Sequence, residues 1–354
     1  MPNVESSTSA IKTIECDSAE EFLDAISPRS EHFMSLPGSS NAAVRHPEKY
    51  IFRGHENDDF SLIPSALRLG QPIKWNQWGR VVISRNREQF RLLRESRTLV
   101  GNWTNRHQIK AELAMIFAFF QFADASSLPL PEDSQKLRRI LKKASFDLRS
   151  LKNDDGQFDW PSEEILSLLA LAQHYGVPTR LLDWSRSAFC AAYFAAAGAA
   201  KLELGPPSKR PQALSVWGLN IETLGVTENS SPPFGINAPS SIEVITATSA
   251  SNPNLHSQKG VFTIYRPSVL IPREKVDRKP LNEILETFPI IPELIRFRLP
   301  AITATKLLRL LSIEGIHGGT VFAGYRGAAE ATLETRHWDC DVSLENVSPY
   351  FEER

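Results

Sequence analysis

The densest group of chemically capable side chains lies in the stretch QHYGVPTRLLDWSRSAFCAAYFA, which runs from Gln173 to Ala195. This stretch contains His174, Thr179, Arg180, Asp183 and Trp184. Such side chains can supply an acid or base, an anion contact, a stabilising charge and a ring that stacks on a base. His174 falls opposite the apolar stripe of the helix before it. Asp183 and Ser185 could instead cap the following apolar helix, and Trp184 could be a core ring, so both interpretations stay open.

A second candidate is Arg53, which ends the predicted strand KYIFRG directly before Gly54. A guanidinium presents a planar fork of donors that matches a phosphate or a carboxylate. Gly54 has no side chain and would let a ligand approach the backbone. The structural alternative for Arg53 is an ion pair with a nearby carboxylate. Arg68, in IPSALR, is either a second anion contact or part of a surface ion pair.

The third candidate is Gln258, in HSQKGVFTIY, directly ahead of a predicted strand. Its amide could bond a ribose or a nicotinamide, or it could be held by backbone contacts. The sequence has no glycine-rich phosphate loop and no G-x-S-x-G nucleophile motif. It also lacks the H-E-x-x-H and C-x-x-C patterns, so we expect no metal site.

Helical and strand patterns are mixed without regular alternation, which predicts an α+β fold with one central mixed sheet. The predicted strands are IKTIEC, KYIFRG, ALSVWGLNI, IEVITA and GVFTIYR. In DSAEEFLDAI, Ser18 and Glu21 have the spacing of a capping box. Apolar residues recur at helical spacing across 78–152, which predicts a helical insertion between the first two motifs.

Composition limits the class of protein. The 354 residues carry a formal net charge of −1, so no overall field draws the chain to nucleic acid or anionic lipid. Three scattered cysteines fit a reducing compartment, and no signal peptide is visible, so we expect a cytoplasmic location. The longest apolar-rich stretches are too short to span a bilayer.

Taken together, YIFRGHENDDFSLIPSALR, LLALAQHYGVPTRLLDWSRSAFCAAYFA and SQKGVFTIY resemble the FRG domain family, which is named after the string at Phe52, Arg53 and Gly54. The resemblance covers roughly Ile14 to Gly327. It implies an FRG domain over 12–330 and a C-terminal tail over 331–354. FRG proteins are largely bacterial or phage-associated.

The same strings are similar, more distantly, to ADP-ribosyltransferases of the Arg–Ser–Glu type. That resemblance implies a split sheet and NAD as substrate, with IFRG as the first motif and SQKGVFTI as the third. The glutamate expected in the third motif falls on Gly260. Asp183 is the leading substitute carboxylate, followed by Glu243 and Glu330.

The resemblance implies an NAD-using ADP-ribosyltransferase or NAD glycohydrolase, in the setting of a bacterial toxin or anti-phage effector. The catalytic residues it implies are Arg53, Asp183 and Gln258. The implied NAD-binding residues are Arg53, Gly54, His174, Thr179, Arg180 and Trp184. Implied partners are a protein or nucleic-acid acceptor and an antitoxin or defence-system partner, with no membrane.

Two other functions stay open. The basic run KLRRILKKASFDLRSLK favours a non-catalytic module that binds nucleotides or nucleic acid. A nuclease with Arg53, His174 and Asp183 around a phosphodiester ranks last, because no metal-ligand cluster accompanies these residues.

Overall fold

Seven strands of the described chain join into one mixed sheet. They are β1 (Ile11–Glu15), β2 (Tyr50–His55), β3 (Leu182–Ser185), β4 (Ala213–Asn220), β5 (Ser241–Ile245), β6 (Gly260–Arg266) and β7 (Leu294–Pro300). Their spatial order is β1-β7-β4-β2-β3-β6-β5. β1 and β7 run parallel, and the other neighbouring pairs are antiparallel. The predicted α+β class with one mixed sheet is confirmed.

Ten helices occur in the part of the chain that the structure describes. They are α1 (Ala19–Ile26), α2 (Asn105–Ala125), α3 (Gln135–Phe146), α4 (Glu163–His174), α5 (Ala188–Glu203), α6 (Pro253–Ser257), α7 (Leu281–Leu285), α8 (Ala304–Ile313), α9 (Gly318–Val321) and α10 (Tyr325–Glu334). The Oγ of Ser18 accepts from the backbone N–H of Glu21 at 3.2 Å and so caps α1 as its sequence predicts. None of these helices is long and apolar enough to cross a membrane.

The computed structural model describes residues 11–33, 46–68, 104–146, 160–203, 206, 208, 210–224, 240–246, 253–267, 269–288 and 291–337. Two parts of the predicted insertion, 78–103 and 147–152, lie outside these residues, as does the tail from 338 onward. Between them, 104–146 forms α2 and α3 and gives no strand to the sheet. An isolated bridge joins Thr104 to Lys275.

Three apolar cores pack against the sheet. Helices α1, α5 and α8 cover the half that contains β7, β4 and β2, where Phe22, Phe52 and Phe297 are buried. Helices α2, α3 and α4 form a second core with β6. The third core takes residues from both halves of the sheet, among them Ile51 of β2 and Trp184 of β3. Because Ile51 and Phe52 are consecutive in β2, their side chains point to opposite faces.

The contact between β2 and β3 is the weakest link in the sheet. These strands share a single registered pair, Phe52 with Ser185, whereas β2 pairs with β4 along its whole length from Tyr50 to His55. We call the line between β2 and β3 the seam. Beyond the Phe52–Ser185 pair no ladder partner is registered across it, so side chains can reach through it.

Candidate functional site

Arg53 of β2 and Asp183 of β3 meet at the seam. The Nη1 of Arg53 lies 2.6 Å from Oδ1 of Asp183, and it also donates to the backbone carbonyl of Asp183 at 2.7 Å. The arginine side chain is 11% exposed, whereas that of Asp183 is 60% exposed. The guanidinium therefore bridges the two strands where the ladder stops, and it leaves the carboxylate open to solvent.

The ionisation of Asp183 follows from this contact. Neighbouring protein partly desolvates the carboxylate, which acts to raise its pKa, but the charge and hydrogen bonds of Arg53 outweigh that effect. The pKa of Asp183 is thus held below its usual range, and the group is an anion at neutral pH. Asp183 does not cap α5, because Ser187 takes that place: its Oγ accepts from the backbone N–H of Cys190 at 3.4 Å.

Gln173 and Thr179 help to hold the Asp183 carboxylate in position. The Nε2 of Gln173, near the end of α4, donates to Oδ1 of Asp183 at 3.0 Å. The hydroxyl of Thr179 in turn donates to Oε1 of Gln173 and accepts from the backbone N–H of Leu181 at 3.1 Å. Thr179 is 1% exposed. Thr179 orients Gln173 and acts on Asp183 through that glutamine.

His55, two residues after Arg53, completes the arrangement. The Nε of Arg53 donates to Nε2 of His55 at 3.0 Å, which requires that ring nitrogen to be unprotonated. Burial, followed by the charges of Arg53 and Arg68, lowers the pKa of His55 to about 3. The ring is therefore neutral at physiological pH, and it fixes the direction of the Arg53 side chain.

This buried histidine predicts acid sensitivity. In the unfolded chain it titrates near its ordinary pKa of about 6.5, and in the folded chain only near 3. Between these values the unfolded chain binds the proton, so stability falls as pH falls from about 6.5 toward 3. We expect His55→Gln to flatten that part of the profile, measured as thermal midpoints from neutral to acid pH. Exposed His256→Gln should leave the profile unchanged, and an identical slope in His55→Gln would contradict the assignment.

Gln258 lies at the other end of β3. Its backbone carbonyl accepts from Oγ of Ser185 at 2.7 Å, and Ser185 is the residue that pairs with Phe52 across the seam. Gly260, two residues after Gln258, occupies the position of the glutamate that the resemblance to ADP-ribosyltransferases implies. A Cβ at Gly260 would come within 2.4 Å of Cδ1 of Leu255, so a glutamate there would require the Leu255 side chain to move.

Arg180 and Trp184 point away from the seam. The guanidinium of Arg180 forms a bidentate pair with Glu112 of α2, at 2.7 and 3.0 Å. It also lines a cavity of about 210 Å³ between β6 and the segment 269–281. Trp184 is 4% exposed, and its indole N–H donates to Oγ1 of Thr263 at 2.9 Å. The indole is a core ring, which leaves no open face for stacking on a base.

Gly54 and His174 are each packed against other parts of the protein. A Cβ at Gly54 would lie 1.9 Å from the backbone carbonyl oxygen of Ala191, so this glycine permits the close approach of α5 to β2. His174 is half-buried at the end of α4, with its ring edge-on to Tyr175. Burial, followed by the charge of Arg326, lowers the pKa of His174.

The two other carboxylates considered for catalysis are engaged elsewhere. Glu243 pairs with Arg266 at 2.7 Å between β5 and β6. Glu330 pairs with Lys201 at 3.0 Å between α10 and α5. Asp183 is thus the one of the three that contacts Arg53. Across the described ranges, no group of three or more His, Cys, Asp or Glu residues could hold a metal ion.

Sequence reasoning missed three residues that matter here, namely Gln173, His55 and Glu112. Gln173 and His55 adjoin motif residues, but nothing in their spacing says which neighbour each one bonds. For Glu112, the sequence does contain an indication that the side chain is buried and paired. It is a lone carboxylate in the apolar run AELAMIFAFF, and a buried carboxylate requires partners.

In the part of the chain that the structure describes, the fold is α+β with one mixed sheet, and an arginine–aspartate pair bridges its seam. Residues 108–203 match the family model of the FRG domain. Over these residues the match agrees with the resemblance to the FRG domain that the sequence motifs indicate. The match spans α2 to α5 and includes Asp183, whereas Arg53 and Gln258 lie outside it. Neither a comparison with curated proteins nor one with solved structures finds a match.

Proposed function

We propose that the seam is a nucleotide-binding cleft and that the protein cleaves NAD, as an ADP-ribosyltransferase or an NAD glycohydrolase. One observation carries this proposal: an exposed carboxylate, Asp183, is held as an anion by a largely buried arginine where the sheet opens. An anion fixed in that way is suited to stabilising positive charge that develops during a reaction.

In the proposed reaction the bond between C1′ of the ribose and the nicotinamide nitrogen breaks. The bonding electrons leave with the nicotinamide, which departs as a neutral molecule, so the departure needs no general acid. Positive charge then develops on the ribose ring, and the Asp183 carboxylate stabilises it. Water or an acceptor hydroxyl or amine attacks C1′ and releases a proton to solvent.

The remaining seam residues have positioning parts in this proposal. Arg53 keeps Asp183 ionised and fixed, and Gln173 holds the same oxygen from the other side. The backbone carbonyl of Gln258 is bonded to Ser185, and from there the Gln258 side chain would bond the ribose of a nucleotide in the cleft. His174 and Tyr175 stand at the end of α4, next to Gln173.

The first test is nicotinamide release by the purified full chain with NAD. We expect Asp183→Asn to lower the rate by at least about a hundredfold, because an amide carries no charge for the transition state. Because Asp183 is 60% exposed, water can replace part of the charge that Arg53 loses, so we expect the fold to remain, and thermal melting checks this. Glu330→Gln, which breaks an exposed ion pair, should keep the wild-type rate.

Other outcomes would redirect the proposal. If Asp183→Asn kept full activity and Glu243→Gln lost it, Glu243 would be the residue that stabilises the positive charge. Binding of ADP-ribose with no release of nicotinamide from NAD would indicate a non-catalytic nucleotide-binding module instead.

The basic helix α3 gives little support to a nucleic-acid function. Arg138 pairs with Asp124 at 2.7 Å and with Asp133 at 2.6 Å, and Lys136 pairs with Glu164. Leu137 and Leu141 turn inward to the core. Much of the positive charge of the described part of this helix is thus balanced within the protein.

A further inference from the structure

We propose that Arg68 is the anion-binding residue of this cleft and that the group it binds is a diphosphate. The substrate class would then be nucleotides that carry a diphosphate, with Arg53 reserved for Asp183. The inference rests on the proposed function in assuming that the seam accepts a nucleotide, and its test below separates the two.

Three of the five N–H donors of Arg53 are already engaged within the protein. Its Nε is used by His55, and its Nη1 is used by both the carbonyl and the carboxylate of Asp183. An arginine whose Nε and Nη1 are both engaged is well suited to holding a carboxylate in position. A phosphate at the same guanidinium would also lie against the Asp183 anion and be repelled by it.

Arg68 is held at the site by the segment that carries it. The short 3₁₀ helix Ser65–Leu67 precedes it and is bonded to Thr179, which orients Gln173 behind Asp183. The backbone N–H of Ala66 donates to the carbonyl of Thr179 at 3.0 Å. The hydroxyl of Ser65 accepts from the N–H of Thr179 at 3.2 Å. Arg68 is thus tied to the frame that positions Asp183.

Two further contacts fix the same segment from the opposite side. Nε2 of Gln108 donates to the carbonyl of Ala66 at 2.8 Å, and Nη1 of Arg278 donates to that of Leu67 at 2.6 Å. The Nε of Arg68 itself donates to the carbonyl of Ile63 at 2.8 Å. This bond sets the plane of the guanidinium while it uses one of five donors. A guanidinium that is already ordered before a ligand binds loses little conformational entropy on binding.

Charges of both signs surround Arg68. Burial, followed by the charge of Arg53, lowers the pKa of Arg68, while Asp183 and Glu56 act against that shift. The guanidinium group of Arg68 thus lies in the field of one other guanidinium, that of Arg53, and of two carboxylates. Within the described ranges, no carboxylate forms an ion pair with Arg68. A diphosphate, whose oxygens carry more than one negative charge, would match the planar fork of donors of Arg68.

The test is titration calorimetry of the full chain with inorganic pyrophosphate, ADP-ribose and AMP. We expect pyrophosphate and ADP-ribose to bind, with AMP weaker. Arg68→Gln should weaken both diphosphate ligands at least about tenfold, as loss of a charged hydrogen bond does. Arg68→Lys should recover only part of the affinity, because an ammonium lacks the fork. Arg309→Gln is the control with the same change of charge, since Arg309 is exposed on α8 and has no part in the seam, and it should bind as the wild type does.

The outcomes separate this inference from the proposed function. Pyrophosphate binding that is lost in Arg68→Gln, with no nicotinamide released from NAD, would support the inference and refute the NAD reaction. NAD cleavage with unchanged ligand affinity in folded Arg68→Gln would overturn the inference and leave the reaction standing. Absence of pyrophosphate binding in the wild type, or equal losses in Arg68→Gln and Arg309→Gln, would also overturn it.

Discussion

Gly54→Ala should cost more than about 3 kcal/mol of stability and leave little native protein. The added Cβ would lie 1.9 Å from the carbonyl oxygen of Ala191 and 2.9 Å from the backbone nitrogen of Ala195. Overpacking against side chains costs about 1–3 kcal/mol, and here the obstacle is helix backbone, which cannot rotate away. The measurement is the thermal or urea midpoint of the purified variant beside the wild type.

Gly218→Ala provides the matched control for this substitution. Gly218 lies on the neighbouring strand β4 and pairs with Phe52, one residue before Arg53. Its nearest contact for a Cβ is Cε1 of Phe52 at 3.3 Å, which a small ring movement can relieve. We expect a cost of about 1 kcal/mol or less there. Equal losses in both variants would mean that the sheet tolerates no alanine, and the argument from α5 would fail.

Glu112→Gln should destabilise the chain by about 3–5 kcal/mol, because it leaves the Arg180 cation buried without its counter-ion. The side chains of Arg180 and Glu112 are 10% and 2% exposed. The same carboxylate also accepts from Nε1 of Trp160 at 2.7 Å and from Nε2 of Gln108 at 2.7 Å. One substitution thus affects the contact between α2, the start of α4 and the loop before β3.

Two further variants check that cause. The double replacement Glu112→Met with Arg180→Met removes both charges and should recover much of the loss, since apolar pairs often replace buried ion pairs at little cost. Breaking the surface pair by Glu330→Gln should cost at most about 1 kcal/mol. If Glu112→Gln melted like the Glu330 variant, the buried pair would not hold α2 in place.

Phe52, Arg53 and Gly54 serve different parts of the structure. Their roles are therefore difficult to infer from this string alone. Phe52 is a core residue, Arg53 reaches through the seam, and Gly54 admits the backbone of α5. Successive residues of a strand face opposite sides, so neighbours in sequence can serve different layers. The sequence favoured a ligand next to Gly54, and the structure has a helix there.

Much of the fold follows from local pattern, because amphipathic spacing and capping residues act over a few positions. The strand β7 was not predicted, although Ile295, Phe297 and Leu299 are fully buried. Its alternate residues, Arg296 and Arg298, both bond Asp58 from a distant loop, and this partner is invisible in the local sequence. The alternation itself was available and would have indicated a strand.

The candidate site was predictable only in part, for a related reason. Residue types named Arg53 and Asp183 as candidates, and the structure brings the two together from 130 positions apart. The same types also named Arg180 and Trp184, whose side chains are committed to Glu112 and Thr263. Which polar residue faces a cleft and which faces the core depends on tertiary packing, and the order of residues in a loop does not encode it.

The order of the strands has a consequence for how the polypeptide can be divided. Counting from β1 to β7, the chain passes across the seam four times: from β2 to β3, from β3 to β4, from β4 to β5 and from β6 to β7. Each half of the sheet is thus assembled from segments that are not contiguous. A nascent chain or an expressed fragment that stops before β7 would leave β1 and β4 without the strand that joins them, and hence with exposed edges prone to aggregation.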